Sequence, residues 1–209
     1  MQEPFAEAGV RGVLHRPEQP NGDGFALTHG ASSNSNAPLL VRISEALAAA
    51  GYLVLRYDLP YRQERPKGPP FPAKAARDRE GIGQAVAALR TVARGKVFAG
   101  GHSYGGRQSA MAAAEQKNMV QALLLFSYPL HPPGKVEQKR TAFFGELRAP
   151  VLFVHGTSDP FGSVEELREA MALIPARTDL LAVEGARHDL KRASDLSSDI
   201  LARFHALLA

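Results

Sequence analysis

Six short runs of almost unbroken apolar residues punctuate the chain: Gly24 to Leu27, Tyr52 to Leu55, Val97 to Ala99, Ala122 to Phe126, Val151 to Val154 and Leu180 to Val183. Runs of this length with no polar alternation are expected of strands covered on both faces of a sheet. Between them the apolar period lengthens to that of a helix. Leu39, Leu40, Ile43 and Leu47 share one face that ends near Gly51, and Ile82, Val86, Leu89 and Val92 share another before Gly95. Val164, Leu167, Met171 and Ile174 make a third face, and Leu196, Ile200, Phe204 and Leu207 a terminal one. The alternation predicts an α/β fold, a mostly parallel sheet of about six to seven strands with helices on both faces and right-handed crossovers. The first twenty residues add one or two antiparallel edge strands around Val10 to Leu14. No repeat and no linker interrupts the pattern, so residues 1–209 read as a single domain.

One segment breaks the rhythm. Pro60 to Pro72 holds five prolines and several basic residues, which predicts a long loop leaving the carboxyl end of the Tyr52 strand. It reads either as a solvated basic loop or as a rim of a ligand site, because open parallel sheets bind ligands beyond the carboxyl ends of their strands. In the second reading Arg62, Arg65 or Lys67 meets an acidic substrate. The stretch from Ser127 to Pro150 has room for a crossover with a short helix around Thr141 to Leu147, and little for a cap.

Composition narrows the chemistry by exclusion. The chain has no cysteine, which removes disulfides, thiolate metal sites and a cysteine nucleophile. No apolar run approaches the ~20 residues that span a bilayer, and Met1 to Pro4 lacks the regions of a signal peptide. A cytoplasmic location without membrane association is therefore expected. The net charge of +4 is spread along the chain, densest from Arg62 to Arg79, and no nucleic-acid partner is expected. There is no H-E-x-x-H and no P-loop, and Gly81-x-Gly83 lies inside a helical pattern without a third glycine. Neither a metal nor a cofactor is called for.

What remains is a nucleophile. Gly101-His102-Ser103-Tyr104-Gly105 fits G-x-S-x-G, a short pattern whose weight here comes from its context. It directly follows the Val97 strand and precedes the alanine-rich, helix-competent run Arg107 to Gln116. So sharp a strand-to-helix turn needs small residues two before and two after the serine, and it sets Ser103 at a helix N-terminus that favours developing negative charge. The bland alternative is a glycine-rich turn that happens to hold a serine.

A serine hydroxyl needs a base. Of the seven histidines, His188 in Gly185-Ala186-Arg187-His188-Asp189 lies just past the last strand, at the same sheet edge as Ser103. His155 precedes Gly156 and suits a local loop contact, His205 falls on the terminal helix, and His102 is expected to point away along the turn. The imidazole needs a carboxylate to fix its tautomer. Asp159, just past the Val151 strand, fits, and the chain order Ser103, Asp159, His188 is the one a G-x-S-x-G elbow of this kind uses. The loop after Phe126 reads Ser127-Tyr128-Pro129 and offers no carboxylate. Glu184 and Asp189 are rival acids, the first too near its strand and the second adjacent to His188. Two backbone N–H groups are needed for an oxyanion, and Tyr104 and Ala31, in the loop Thr28 to Asn36, are the candidates. Ser32 to Asn36 serve equally well as caps of the following helix.

These elements, the His29-Gly30 loop, the Gly101 to Gly105 elbow and the Asp159 and His188 loops, resemble the α/β-hydrolase superfamily along nearly the whole chain. Leu27-Thr28-His29-Gly30-Ala31 and Arg56-Tyr57-Asp58-Leu59-Pro60-Tyr61-Arg62 resemble a small subfamily of bacterial hydrolases whose animal relatives include a subunit of a histone-acetyltransferase complex. Dienelactone-hydrolase-like proteins are similar too, although true dienelactone hydrolases use a cysteine where Ser103 stands. The resemblance implies a lidless serine hydrolase acting on small esters or thioesters without a cofactor. Some relatives are scaffolds, so a non-catalytic interaction module is the alternative.

Overall fold

The computed structural model describes residues 1–191 and 196–209. Its strands are β1 (Gln2–Glu7), β2 (Val10–His15), β3 (Gly24–Thr28), β4 (Leu53–Asp58), β5 (Val97–His102), β6 (Leu123–Phe126), β7 (Val151–Gly156) and β8 (Thr178–Val183). They form one eight-stranded sheet in the order β1-β2-β4-β3-β5-β6-β7-β8. The pairs β1–β2 and β2–β4 are antiparallel and all others are parallel. The sheet is thus one strand larger than the upper expectation, because the N-terminal segment supplies a full hairpin.

Side chains of the central strands alternate between two apolar layers, as the period of two requires. Phe25 and Leu27 of β3, Leu124 and Phe126 of β6, and Leu152 and Val154 of β7 face one side. There they pack under α1 (Pro38–Ala49) and α6 (Ser197–Leu208), through Leu40, Leu47, Phe204 and Leu207. Ala26, Leu123, Leu125, Val151 and Phe153 face the other side. That layer is closed by α3 (Ala75–Arg90), α4 (Tyr104–Glu115) and α5 (Val164–Met171), through Ile82, Val86, Ala110 and Leu167. No helix among the described residues is long and apolar enough to cross a membrane.

Several expectations need correction. Strand β4 extends to Asp58 because it is paired on both sides, with β2 and with β3. The segment read as a long proline loop starts instead with a helix, α2 (Pro60–Glu64), and ends in a 3-10 turn at Pro72–Lys74. Pro60 stands in the first helical turn, where its missing N–H costs no bond, and buried Tyr61 and Arg62 dock the turn on the body of the protein. Helix α3 stops at Arg90, so Val92 lies beyond it and is exposed. The helix expected around Thr141 to Leu147 is one 3-10 turn, Phe144–Glu146, which buries Phe144. A crossover this short is enough because β6 and β7 are neighbours.

Candidate active site

Ser103 stands between β5 and α4 with φ 52° and ψ −116°, a strained combination for a residue with a Cβ. Its N–H donates to the Phe126 carbonyl at 2.8 Å, which fastens the turn to β6. Side chains two residues to either side are impossible. A Cβ on Gly101 would overlap the Thr28 carbonyl oxygen, and one on Gly105 would overlap the His29 carbonyl oxygen.

The hydroxyl so presented heads a relay of two residues that follow β8 and β7. Ser103 Oγ lies 2.8 Å from His188 Nε2. His188 Nδ1 lies 2.8 Å from Asp159 Oδ2 and 3.0 Å from Oδ1. Asp159 is buried, and its Oδ1 also accepts the Phe161 N–H at 2.9 Å, so the carboxylate has a fixed orientation. With Nδ1–H donated to a carboxylate, the free lone pair of His188 is on Nε2, facing the serine. The Phe161 ring stacks on the imidazole with centroids 4.2 Å apart. The rival acids point elsewhere. Glu184 is exposed and 3.5 Å from Thr157 Oγ1, and Asp189 pairs with Lys191 at 3.2 Å.

The loop after β3 is held from beneath. His29 is fully buried, and burial above all lowers its pKa. Its neutral ring has an Nδ1–H donor to Gly30 O at 2.9 Å, while Nε2 accepts the Leu59 N–H at 3.2 Å. The Tyr61 hydroxyl, 3.2 Å from Gly30 O and 2.9 Å from Ala31 O, shares its proton between them. In a trans peptide the N–H points opposite to the preceding C=O. A Gly30 carbonyl drawn inward therefore turns the Ala31 N–H outward. Among the described residues, neither the Ala31 N–H nor the Tyr104 N–H has an acceptor.

The three rim candidates are separated by the structure. Arg62 is no rim cation: it is buried, and donates to Ser33 O at 2.7 Å, Arg65 O at 3.0 Å, Gly68 O at 3.0 Å and Ala31 O at 3.3 Å. It clamps the Ala31 loop to α2. Arg65 donates to Pro69 O at 2.6 Å and lies over the Phe71 ring at 4.1 Å, so it covers its own loop. Lys67 is exposed and has no partner among the described residues.

A family model described as "Alpha/beta hydrolase domain" matches residues 22–203. The chain belongs to the alpha/beta hydrolase family. Solved structures agree on the fold. A dienelactone hydrolase from Anabaena variabilis matches with a TM-score of 0.74 at 20% identity, over 98% of this chain and 96% of that one. Est1E from Butyrivibrio proteoclasticus matches with a TM-score of 0.75 at 16% identity, over 99% and 98%. A serine hydrolase without lid from Xanthomonas campestris matches with a TM-score of 0.72 at 16% identity, over 99% and 91%.

Three further residues brace this hydrolase site, and of them Asp78 carried no sequence signal. His102 reaches across to the main chain of His188, with Nε2–H donating to its carbonyl at 2.7 Å. Burial first, and then the positive charge His188 acquires when protonated, lower the His102 pKa to about 4, so its ring is a neutral brace. Asp78 of α3 is buried and accepts from Tyr104 Oη at 2.8 Å and from the Tyr61 N–H at 3.1 Å. It ties the residue after Ser103 to the clamp under Ala31. His155 makes the local loop contact expected of it, with Nε2–H donating to Gly162 O at 2.8 Å, and holds the turn that carries Asp159.

Proposed function

We propose that this alpha/beta hydrolase cleaves carboxylic esters or thioesters of small substrates through an acyl-Ser103 intermediate. The observation that supports this reading best is the unbroken chain of 2.8 Å contacts from Ser103 Oγ through His188 to Asp159. His188 Nε2 takes the serine proton as Oγ bonds to the substrate carbonyl carbon. The imidazolium formed is stabilised by the buried Asp159 carboxylate. The carbonyl electron pair moves onto oxygen, where the N–H groups of Ala31 and Tyr104 receive it. Collapse breaks the C–O or C–S bond, and His188 returns the proton to the leaving alkoxide or thiolate. Water then attacks the acyl-serine, giving its proton to His188, and Ser103 leaves with that proton restored.

The segment from Ser127 to Pro150 holds only the 3-10 turn, with no inserted cap, which supports small substrates over long acyl chains. The test is a stopped-flow series with 4-nitrophenyl acetate and acetyl thioesters. The reading expects a burst of nitrophenol equal to the enzyme concentration, followed by a slower steady state. Turnover that survives in Ser103→Ala contradicts it.

A further inference from the structure

Six arginines among the described residues are buried or half-buried: Arg56, Arg62, Arg65, Arg79, Arg107 and Arg140. Five have oxygen or nitrogen partners for their guanidinium groups. Arg56 reaches His15, Ser35 and Asn36, Arg79 reaches Glu115 and Gln108, and Arg62 and Arg65 bind the carbonyls described above. Arg140 has a single bond, to Pro129 O at 3.2 Å. Arg107 has none, and its Nε is buried without a partner.

Among these six, Arg107 is the one that follows the nucleophile most closely in the chain. Its N–H donates to Ser103 O at 2.9 Å, so it stands in the first turn of α4, directly after the elbow. Arg140 comes to the same place from the segment after β6, anchored by its N–H on Leu130 O at 2.7 Å and by Tyr128 Oη on its carbonyl at 2.6 Å. The two charges are close enough to be felt. Burial first and then Arg107 lower the Arg140 pKa. Arg107 and Arg140 both oppose the rise that burial imposes on the Tyr128 phenol. No carboxylate of the described residues lies within ion-pair distance of either guanidinium. Two half-buried like charges, one with an unpaired buried donor, are unfavourable by themselves and favourable around an anion. Guanidinium forks suit the planar carboxylate in particular.

We propose that Arg107 and Arg140 form an anion subsite beside Ser103, and that the preferred substrate is an ester or thioester carrying a second, free carboxylate. The inference rests on the serine-hydrolase reading above and deepens it. It also moves the acidic-substrate contact from the loop at Arg62 to the face of α4.

The test compares 4-nitrophenyl hydrogen adipate with its neutral methyl ester at low salt. The subsite predicts a kcat/KM ratio, acid over methyl ester, of at least about tenfold, shrinking as salt screens the charges. Arg107→Gln should bring the ratio to near one, and Arg107→Lys, which keeps charge but loses the fork, should leave an intermediate value. A wild-type ratio near one, or a ratio unmoved by Arg107→Gln, overturns the proposal. A second readout needs no turnover: calorimetric titration of Ser103→Ala with monomethyl adipate and dimethyl adipate. Tighter binding of the monoester, lost on adding Arg140→Gln, supports the subsite, and equal affinities reject it. Failure of the wild-type burst with that binding preference intact counts against the acyl-serine reading alone.

Discussion

The Arg62 clamp yields a prediction on stability and on rate together. Arg62→Met keeps the length and apolar stem of the side chain and removes the guanidinium. Four carbonyl bonds go with it, three of them at 3.0 Å or shorter. A hydrogen bond from a charged donor contributes about 1.5–3 kcal/mol net. The Arg65 and Gly68 carbonyls belong to the partly exposed Pro60 to Pro72 segment and regain water, so the lasting loss is at Ser33 and Ala31. Two such bonds, one of them long at 3.3 Å, give about 3 kcal/mol. For a chain of this size that corresponds to roughly 6–12 °C in Tm. The Gly30 carbonyl that turns the Ala31 N–H outward keeps its His29 and Tyr61 bonds, and only the next carbonyl, Ala31 O, loses a donor, so kcat should fall by about tenfold at most, short of the full loss of an oxyanion donor. KM should change little, because the affected bond strengthens as charge develops on oxygen. Differential scanning calorimetry and steady-state hydrolysis of 4-nitrophenyl acetate read both effects. A Tm within about 2 °C of wild type, with kcat intact, would refute the clamp.

Other outcomes follow from the same geometry. Asp159→Asn should keep the fold and lower kcat by a factor on the order of 10⁴, because an amide presents an N–H to His188 Nδ1 and inverts its tautomer; activity near wild type in a steady-state assay counts against Asp159. His15 is buried against Arg56 with its pKa lowered to about 4, from 6.5. The unfolded chain therefore binds the extra proton between these values, and the contribution is full above pH ~6.5 and lost as pH falls toward about 4, up to about 3 kcal/mol. Thermal melts should show that acid slope diminished in His15→Gln, which keeps an acceptor for Arg56 and cannot titrate; an unchanged slope rejects the assignment. Across nitrophenyl esters of rising acyl length, kcat/KM should not climb beyond short chains, since an open site leaves each further methylene without its ~0.8 kcal/mol of burial; a steady climb contradicts the uncapped reading.

The six central strands were legible because β3 to β8 are covered on both faces, which forces nearly continuous apolar runs. The elbow was legible because its backbone admits only glycine at Gly101 and Gly105. What escaped were the contacts distant in sequence that no motif marks. Arg62 and Lys67 look alike in a basic, proline-rich stretch, yet one is buried under Ala31 and the other is exposed. Only the docking of α2 against the Ala31 loop tells them apart. The bracing of His188 by His102 likewise joins residues 86 apart in the chain. Arg107 in an alanine-rich helix reads as an ordinary surface residue until Arg140 arrives from the far side of β6. Local pattern reports which residues need burial, and long-range packing decides which charges are left without partners.

The central claim, that Ser103 is an activated nucleophile, is tested most directly by treating the protein with a fluorophosphonate and locating the adduct by peptide mass spectrometry. The account predicts one stoichiometric adduct, on Ser103, absent from Ser103→Ala and strongly slowed in His188→Ala. An unlabelled protein, or an adduct on another residue at the same rate in Ser103→Ala, would contradict it.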